Sequence, residues 1–160
     1  MRAFAMGYLW FYIVLVVSIV GAVLIWRRSR AAARRAQRQR AMPEFEVRRE
    51  ELAKQFLQAA AATGKPRGLH WTSVELTGQP VFATDAASGA LCALVGATIS
   101  FEAVEGGDME EVEAVGNLRS ATAVFVFRSG QWTTDGRVIF NLEPAEAVQR
   151  FQSSLTPVRR

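Results

Sequence analysis

The sequence predicts an α+β chain: a single N-terminal transmembrane helix, then a small antiparallel β-sheet or partial barrel of six or seven strands with a helix before it and a C-terminal helix after it. Three observations predict this. A charge-free apolar run fills residues 8–26. Short alternating segments punctuated by Gly and Pro fill residues 69–142. Apolar residues at helical spacing flank that region, at 44–63 and 144–155.

The run from Tyr8 to Trp26 has nineteen residues, twelve of them Leu, Ile, Val or Phe. A helix of that length matches a hydrocarbon core of about 30 Å. Its apolar side chains favour insertion by about −4 to −7 kcal/mol on an insertion scale. Aromatic residues stand at both ends, Tyr8, Trp10, Phe11 and Tyr12 on one side and Trp26 on the other, as they do at membrane interfaces. A cleaved signal peptide fits less well, because only Arg2 precedes the core and arginines follow it at once.

Charge divides the chain unevenly. Residues 1–43 carry eight Lys/Arg and no acid, whereas residues 44–160 carry eleven Lys/Arg against fifteen Asp/Glu. The first part is thus +8 and the second −4, so a pI near 10.0 reports the arginines alone. This counts against a nucleic-acid binder. Seven arginines lie between residues 27 and 40. The positive-inside rule then places residues 1–7 outside, 8–26 in the membrane, and both the collar (27–43) and the domain (44–160) in the cytoplasm. One cysteine, Cys92, leaves no intramolecular disulfide and suits a reducing compartment.

The collar is built of helix formers, with every arginine except Arg40 on one side and Ser29, Ala32, Ala33 and Ala36 on the other. It has no bulky apolar face to insert, so it is not an interfacial anchor. Its arginines Arg27, Arg28, Arg30, Arg34, Arg35 and Arg38 are candidate contacts for anionic lipid, at about 1 kcal/mol each near a surface. Within the span, Ser18 and Ala22 form a small-xxx-small pair beside Gly21, which would allow a homodimer through the helix.

Pro43 predicts a break after the collar, and Phe45, Leu52, Phe56, Ala59 and Ala60 predict one buried stripe on a helix from Glu44 to Thr63. Glu50 and Lys54 are spaced for an i,i+4 ion pair on its outer face. Gly64 and Pro66 end it. Strands are expected at Leu69–Leu76, closed by a Thr77-Gly78-Gln79-Pro80 turn, then at Val81–Thr84, Ala90–Val95 and Ala97–Val104, with a kink or bulge at Gly96. Thr122–Arg128, Gln131–Thr134 and Arg137–Leu142 read as a three-stranded meander, with Ser129-Gly130 and Asp135-Gly136 as its turns. Asp108 with Glu111 predicts a capped helix over Met109–Val115. Pro144 opens a last helix carrying Val148, Phe151 and Leu155. The order of these elements resembles pleckstrin-homology-like barrels by analogy alone, with no residue signature. A sheet wrapped on the 44–63 helix, as in cystatin-like folds, fits almost as well.

The chemistry is sparse. His70 and Cys92 are the only histidine and cysteine, so no zinc set is expected, and Cys92 reads as a small buried residue. No catalytic, cofactor or metal-binding residue is predicted. Gly64-Lys65 is not a phosphate loop, because Pro66 stands where Ser or Thr is required. The acidic stretch Glu102–Glu113 is a candidate docking surface, with Glu105, Asp108, Glu110 and Glu111 its foremost residues; Trp132, read as an exposed aromatic, is a second. The expected function is a membrane-tethered, non-enzymatic binding or assembly module. Its expected partners are the lipid bilayer, anionic lipids and a membrane protein complex. A headgroup sensor using collar and barrel is the first alternative. An enzyme drawing on Asp85, Asp108 or Asp135 is the second, and it requires two of these to converge with a raised pKa.

Overall fold

A computed structural model describes residues 2–63, 68–106 and 118–158, without the side chains of 2–9, 11–13, 31 and 34. The expected Met109–Val115 helix, its cap at Asp108, and the Gly64–Pro66 helix stop lie outside the described residues. The chain divides into two compact units, residues 1–40 and residues 41–160.

The first unit is the greater part of helix α1 (Arg2–Val47). Among the described residues, no helix is long and apolar enough to cross a membrane. The transmembrane helix expected at 8–26, and with it the single-pass membrane architecture, is corrected accordingly.

The second unit begins inside α1. Pro43 does not end the helix. The break comes at Arg48, where φ −98° and ψ 10° part α1 from α2 (Arg49–Ala62). Even there the helical ladder is nearly continuous, since Arg48 N–H reaches Glu44 O at 3.1 Å and Leu52 N–H reaches Arg48 O at 2.9 Å. The expected stripe is buried at Phe45, Leu52, Phe56 and Ala60, while Ala59 is half-buried.

Among the described residues the sheet has six strands: β1 (Leu69–Asp85), β2 (Leu91–Ala103), β3 (Arg119–Arg128), β4 (Gln131–Thr133), β5 (Val138–Phe140) and β6 (Leu155–Pro157). Between β5 and β6 comes helix α3 (Pro144–Arg150). All the strand pairings are antiparallel, in the order β4-β3-β2-β1-β6, with β5 also on β3. The expected antiparallel sheet is therefore present, with three changes of detail.

Thr77-Gly78-Gln79-Pro80 is not a turn. β1 runs straight through it, and the register jumps from Thr77↔Gly96 to Val81↔Leu94. The irregularity thus lies in β1, where residues 78–80 stand opposite Val95, next to Gly96. A Cβ on Gly96 would stand 2.9 Å from Thr77 Oγ1, so the glycine makes room for the distorted strand. Asp135-Gly136 is not a hairpin either. Both β4 and β5 pair with β3, at Val126–Arg128 and at Ala121–Ala123, so the dipeptide interrupts one long antiparallel return. Lastly, the C-terminal helix stops at Arg150, and Leu155 pairs with Asp85 in β6. Pro144 opens the helix as expected, and Glu143 N–H donates to Glu146 Oε2 at 3.3 Å.

Strand alternation sorts the core into two faces. One face takes Leu91, Ala93, Val95, Ala97, Ile99, Ala123, Phe125 and Trp132 against Phe45, Leu52 and Phe56. Aromatic rings join it: Phe45 meets Phe125 at 5.2 Å and Trp132 at 5.1 Å, edge to face. The other face carries a smaller cluster, Ala83, Cys92, Leu94, Ala147 and Val148, beneath α3.

Candidate functional site

Because α3 covers only part of the second face, it leaves a cleft of about 330 Å³ beside its C-terminal end. The floor is built by alternation. Cys92 pairs with Val126 and Leu94 with Val124 across β2 and β3, and Ile139 of β5 adds to them. Phe151 and Leu155 form the apolar wall, and Ser154 joins them. The rim is charged, with Asp85 and Ser88 from the β1–β2 hairpin, Arg128 from the end of β3, and Asp135 and Arg137 from the β4–β5 connection.

Local backbone chemistry sets each rim group. Asp85 accepts from the Ser88 N–H at 2.7 Å and from the Ser88 hydroxyl. The Ser88 hydroxyl hydrogen bond, then its N–H, holds the Asp85 carboxyl below the usual carboxylate range, and the Arg128 charge adds to this. Asp135 accepts from the Arg137 N–H at 3.2 Å, and Gly136 N–H donates to Thr134 Oγ1 at 3.1 Å. Arg128 leads into the Ser129-Gly130 turn, where both residues have positive φ. Neither the Arg128 nor the Arg137 guanidinium forms an ion pair among the described residues. Below them, burial pushes the Cys92 thiol up, and the charge of Asp85 pushes the same way.

No family model, curated protein or solved structure matches this chain.

Two of the three carboxylates weighed for an enzyme, Asp85 and Asp135, do share this cleft; Asp108 lies outside the described residues. Asp85 is shifted downward, however, which is opposite to what a general acid or base near neutral pH requires. His70 is exposed on β1 opposite Glu102 and is not part of the cleft. Among the described residues, no group of three His, Cys, Asp or Glu could hold a metal.

The docking candidates fare differently. Glu105 is exposed in the turn after β2, while Asp108, Glu110 and Glu111 lie outside the described residues. Trp132, expected to be exposed, is 1% exposed and its indole is buried in the core. The collar arginines Arg27, Arg28, Arg30 and Arg35 are exposed and Arg38 is half-buried, while the side chain of Arg34 is outside the described set. The Arg30 guanidinium lies 3.9 Å from the centre of the Trp26 ring. In the same unit, Val14–Val17, Ile19, Val20 and Val23–Trp26 are all exposed.

Sequence reasoning named Asp85 and Asp135 but missed Arg128, Arg137 and the floor that unites them. The alternation Cys92, Leu94 and Val124, Val126 was the available signal, since it marks a second apolar face.

Proposed function

We propose that residues 41–160 form a non-enzymatic binding module whose site is the cleft beside α3. The ligand is a small molecule with an apolar body and an anionic end. One observation carries this reading: an apolar floor lies beneath two guanidinium groups that have no ion-pair partner among the described residues. Guanidinium is the side chain best suited to a carboxylate or phosphate. A volume of about 330 Å³ lies at the small end of ligand pockets.

The titrating groups support binding over catalysis. Asp85 is occupied by Ser88 and stays ionised, and the Cys92 thiol is held protonated, so neither is poised as a base or a nucleophile.

The test is a nuclear magnetic resonance titration of the full chain with octanoate, with octanol as the neutral control. Octanoate should shift the amides of Cys92, Leu94 and Val126, and Arg128→Gln/Arg137→Gln should weaken binding at least about tenfold. Equal binding of octanol, or shifts that miss the cleft, would overturn the assignment.

A second reading concerns the first unit. Exposed Arg27, Arg28, Arg30 and Arg35 follow directly on an exposed apolar stretch, which supports contact with anionic lipid headgroups. Binding to phosphatidylserine vesicles should fall steeply with salt and be lost when these arginines become glutamine. Salt-insensitive binding rules it out.

A further inference from the structure

Resting on the cleft reading above, we propose that the ligand carries an ammonium beside its anionic end: it is a free α-amino acid with an apolar side chain. The cleft lies at the end of the sheet where Leu91 pairs with Phe127, away from the end where Ile99 pairs with Arg119. Its rim presents two guanidiniums, Arg128 and Arg137, and two carboxylates, Asp85 and Asp135, so the four formal charges cancel. A ligand with an anionic end alone is drawn by the first pair and opposed by the second. A ligand that carries both signs close together is favoured by both pairs.

The rim charges are not spent on one another. Among the described residues no ion pair joins Arg128 or Arg137 to Asp85 or Asp135. The two carboxylates differ in what holds them. Asp85 Oδ1 takes both donors of Ser88 and so serves the β1–β2 hairpin. Asp135 is exposed and, among the described residues, accepts only the Arg137 N–H, at 3.2 Å on Oδ1. That bond fixes the carboxylate without neutralising it. Asp135 is therefore the partner for the ammonium, and the guanidiniums are the partners for the ligand's carboxylate.

The floor and the size select among zwitterions. Val124, Val126 and Ile139 line the cleft and are half-buried, so an apolar side chain laid over them removes further apolar surface from water. A volume of about 330 Å³ admits a single amino acid of this kind. A peptide sets its ammonium and its carboxylate farther apart by about 3.3–3.6 Å for every added residue, so its two ends cannot share one small rim.

The experiment titrates the full chain with three eight-carbon probes, octanoate, octylamine and 2-aminooctanoate, followed by nuclear magnetic resonance at the amides of Cys92, Leu94 and Val126. 2-Aminooctanoate should bind at least about tenfold more tightly than either of the others, because it alone meets both signs of the rim. Asp135→Asn keeps an acceptor for the Arg137 N–H but removes the charge. It should bring 2-aminooctanoate within about twofold of octanoate, and octanoate itself should bind more tightly once a like charge is gone. General damage to the cleft weakens both probes and leaves their ratio standing. Circular dichroism confirms folding of the variant, and the wild-type series carries the test if the variant is unstable. Should octanoate bind in the cleft while 2-aminooctanoate binds no tighter than octanoate or octylamine, this inference falls and the cleft reading stands. The same holds if the advantage of 2-aminooctanoate survives Asp135→Asn. If none of the probes shifts these amides, both fall together.

Discussion

The indole Nε1 of Trp132 donates a 2.9 Å hydrogen bond to the main-chain carbonyl of Ala41, joining the last turns of α1 to β4. The bond is fully buried, and the ring also meets Phe45, Phe82 and Phe127. Trp132→Phe keeps most of the packing but strips Ala41 of this donor, which should cost about 1–3 kcal/mol. Trp132→Ala removes the ring as well and should cost about 3–5 kcal/mol. Urea unfolding followed by circular dichroism measures both. A Phe variant as stable as the wild type would show that the hydrogen bond contributes nothing.

Gly136 and Gly130 offer a controlled comparison, because both have positive φ, 75° and 82°. A Cβ at Gly130 meets nothing within 4 Å, whereas at Gly136 it would lie 2.4 Å from Ala60 N and 2.6 Å from Ala59 C. Gly130→Ala should therefore cost only the left-handed conformation, about 1–2 kcal/mol. Gly136→Ala must also displace the end of α2, adding about 1–3 kcal/mol. The two shifts in unfolding midpoint give the answer, and equal shifts would mean that α2 yields freely.

These glycines also explain what could be read in advance. The buried stripe Phe45, Leu52, Phe56 and Ala60 was legible because helical spacing is a local property. The antiparallel sheet was legible because alternation is local too. What failed was the meaning of turn residues. Thr77-Gly78-Gln79-Pro80 and Asp135-Gly136 have the composition of reversals, yet the chain continues through both. In each case a distant partner decided the matter: β2 holds β1 in line on both sides of its irregularity, and β3 pairs with both β4 and β5. Trp132 was misplaced for the opposite reason, since proximity to the Ser129-Gly130 turn outweighed its alternation with exposed Gln131 and Thr133. The cleft stayed hidden because its rim comes from three separate connections that only the strand order brings together.

Asp85 should show its Ser88 contacts in its titration. With its folded pKa below the ordinary 3.8, the carboxylate contributes stability that is present above that value and lost as pH falls through the folded pKa. Ser88→Ala removes the hydroxyl donor, so the Asp85 midpoint, followed by carboxyl carbon resonance, should rise toward 3.8. The variant should be less stable than wild type at neutral pH, and the gap should close in acid. A gap that persists below the folded pKa would assign the loss to something other than this carboxylate.

Cys92 carries the opposite sign. Burial lifts its folded pKa above the ordinary 9.0, Asp85 adds to the effect, and Arg128 and Arg137 oppose it. The protonated thiol is the form the fold favours, so its contribution is complete below 9.0 and lost as pH rises past that value. The thiolate is the reactive species, and the side chain is 4% exposed. Reaction with a disulfide reagent at pH 8 should therefore be at least about 100-fold slower than for a cysteine peptide, with the rate set by local opening. Arg128→Gln should slow it further at alkaline pH by removing a neighbour that favours the thiolate. Mild urea should speed it by opening the floor of the cleft. Were native Cys92 to react as fast as the peptide, the floor would be open to solvent and the cleft would lose its apolar base.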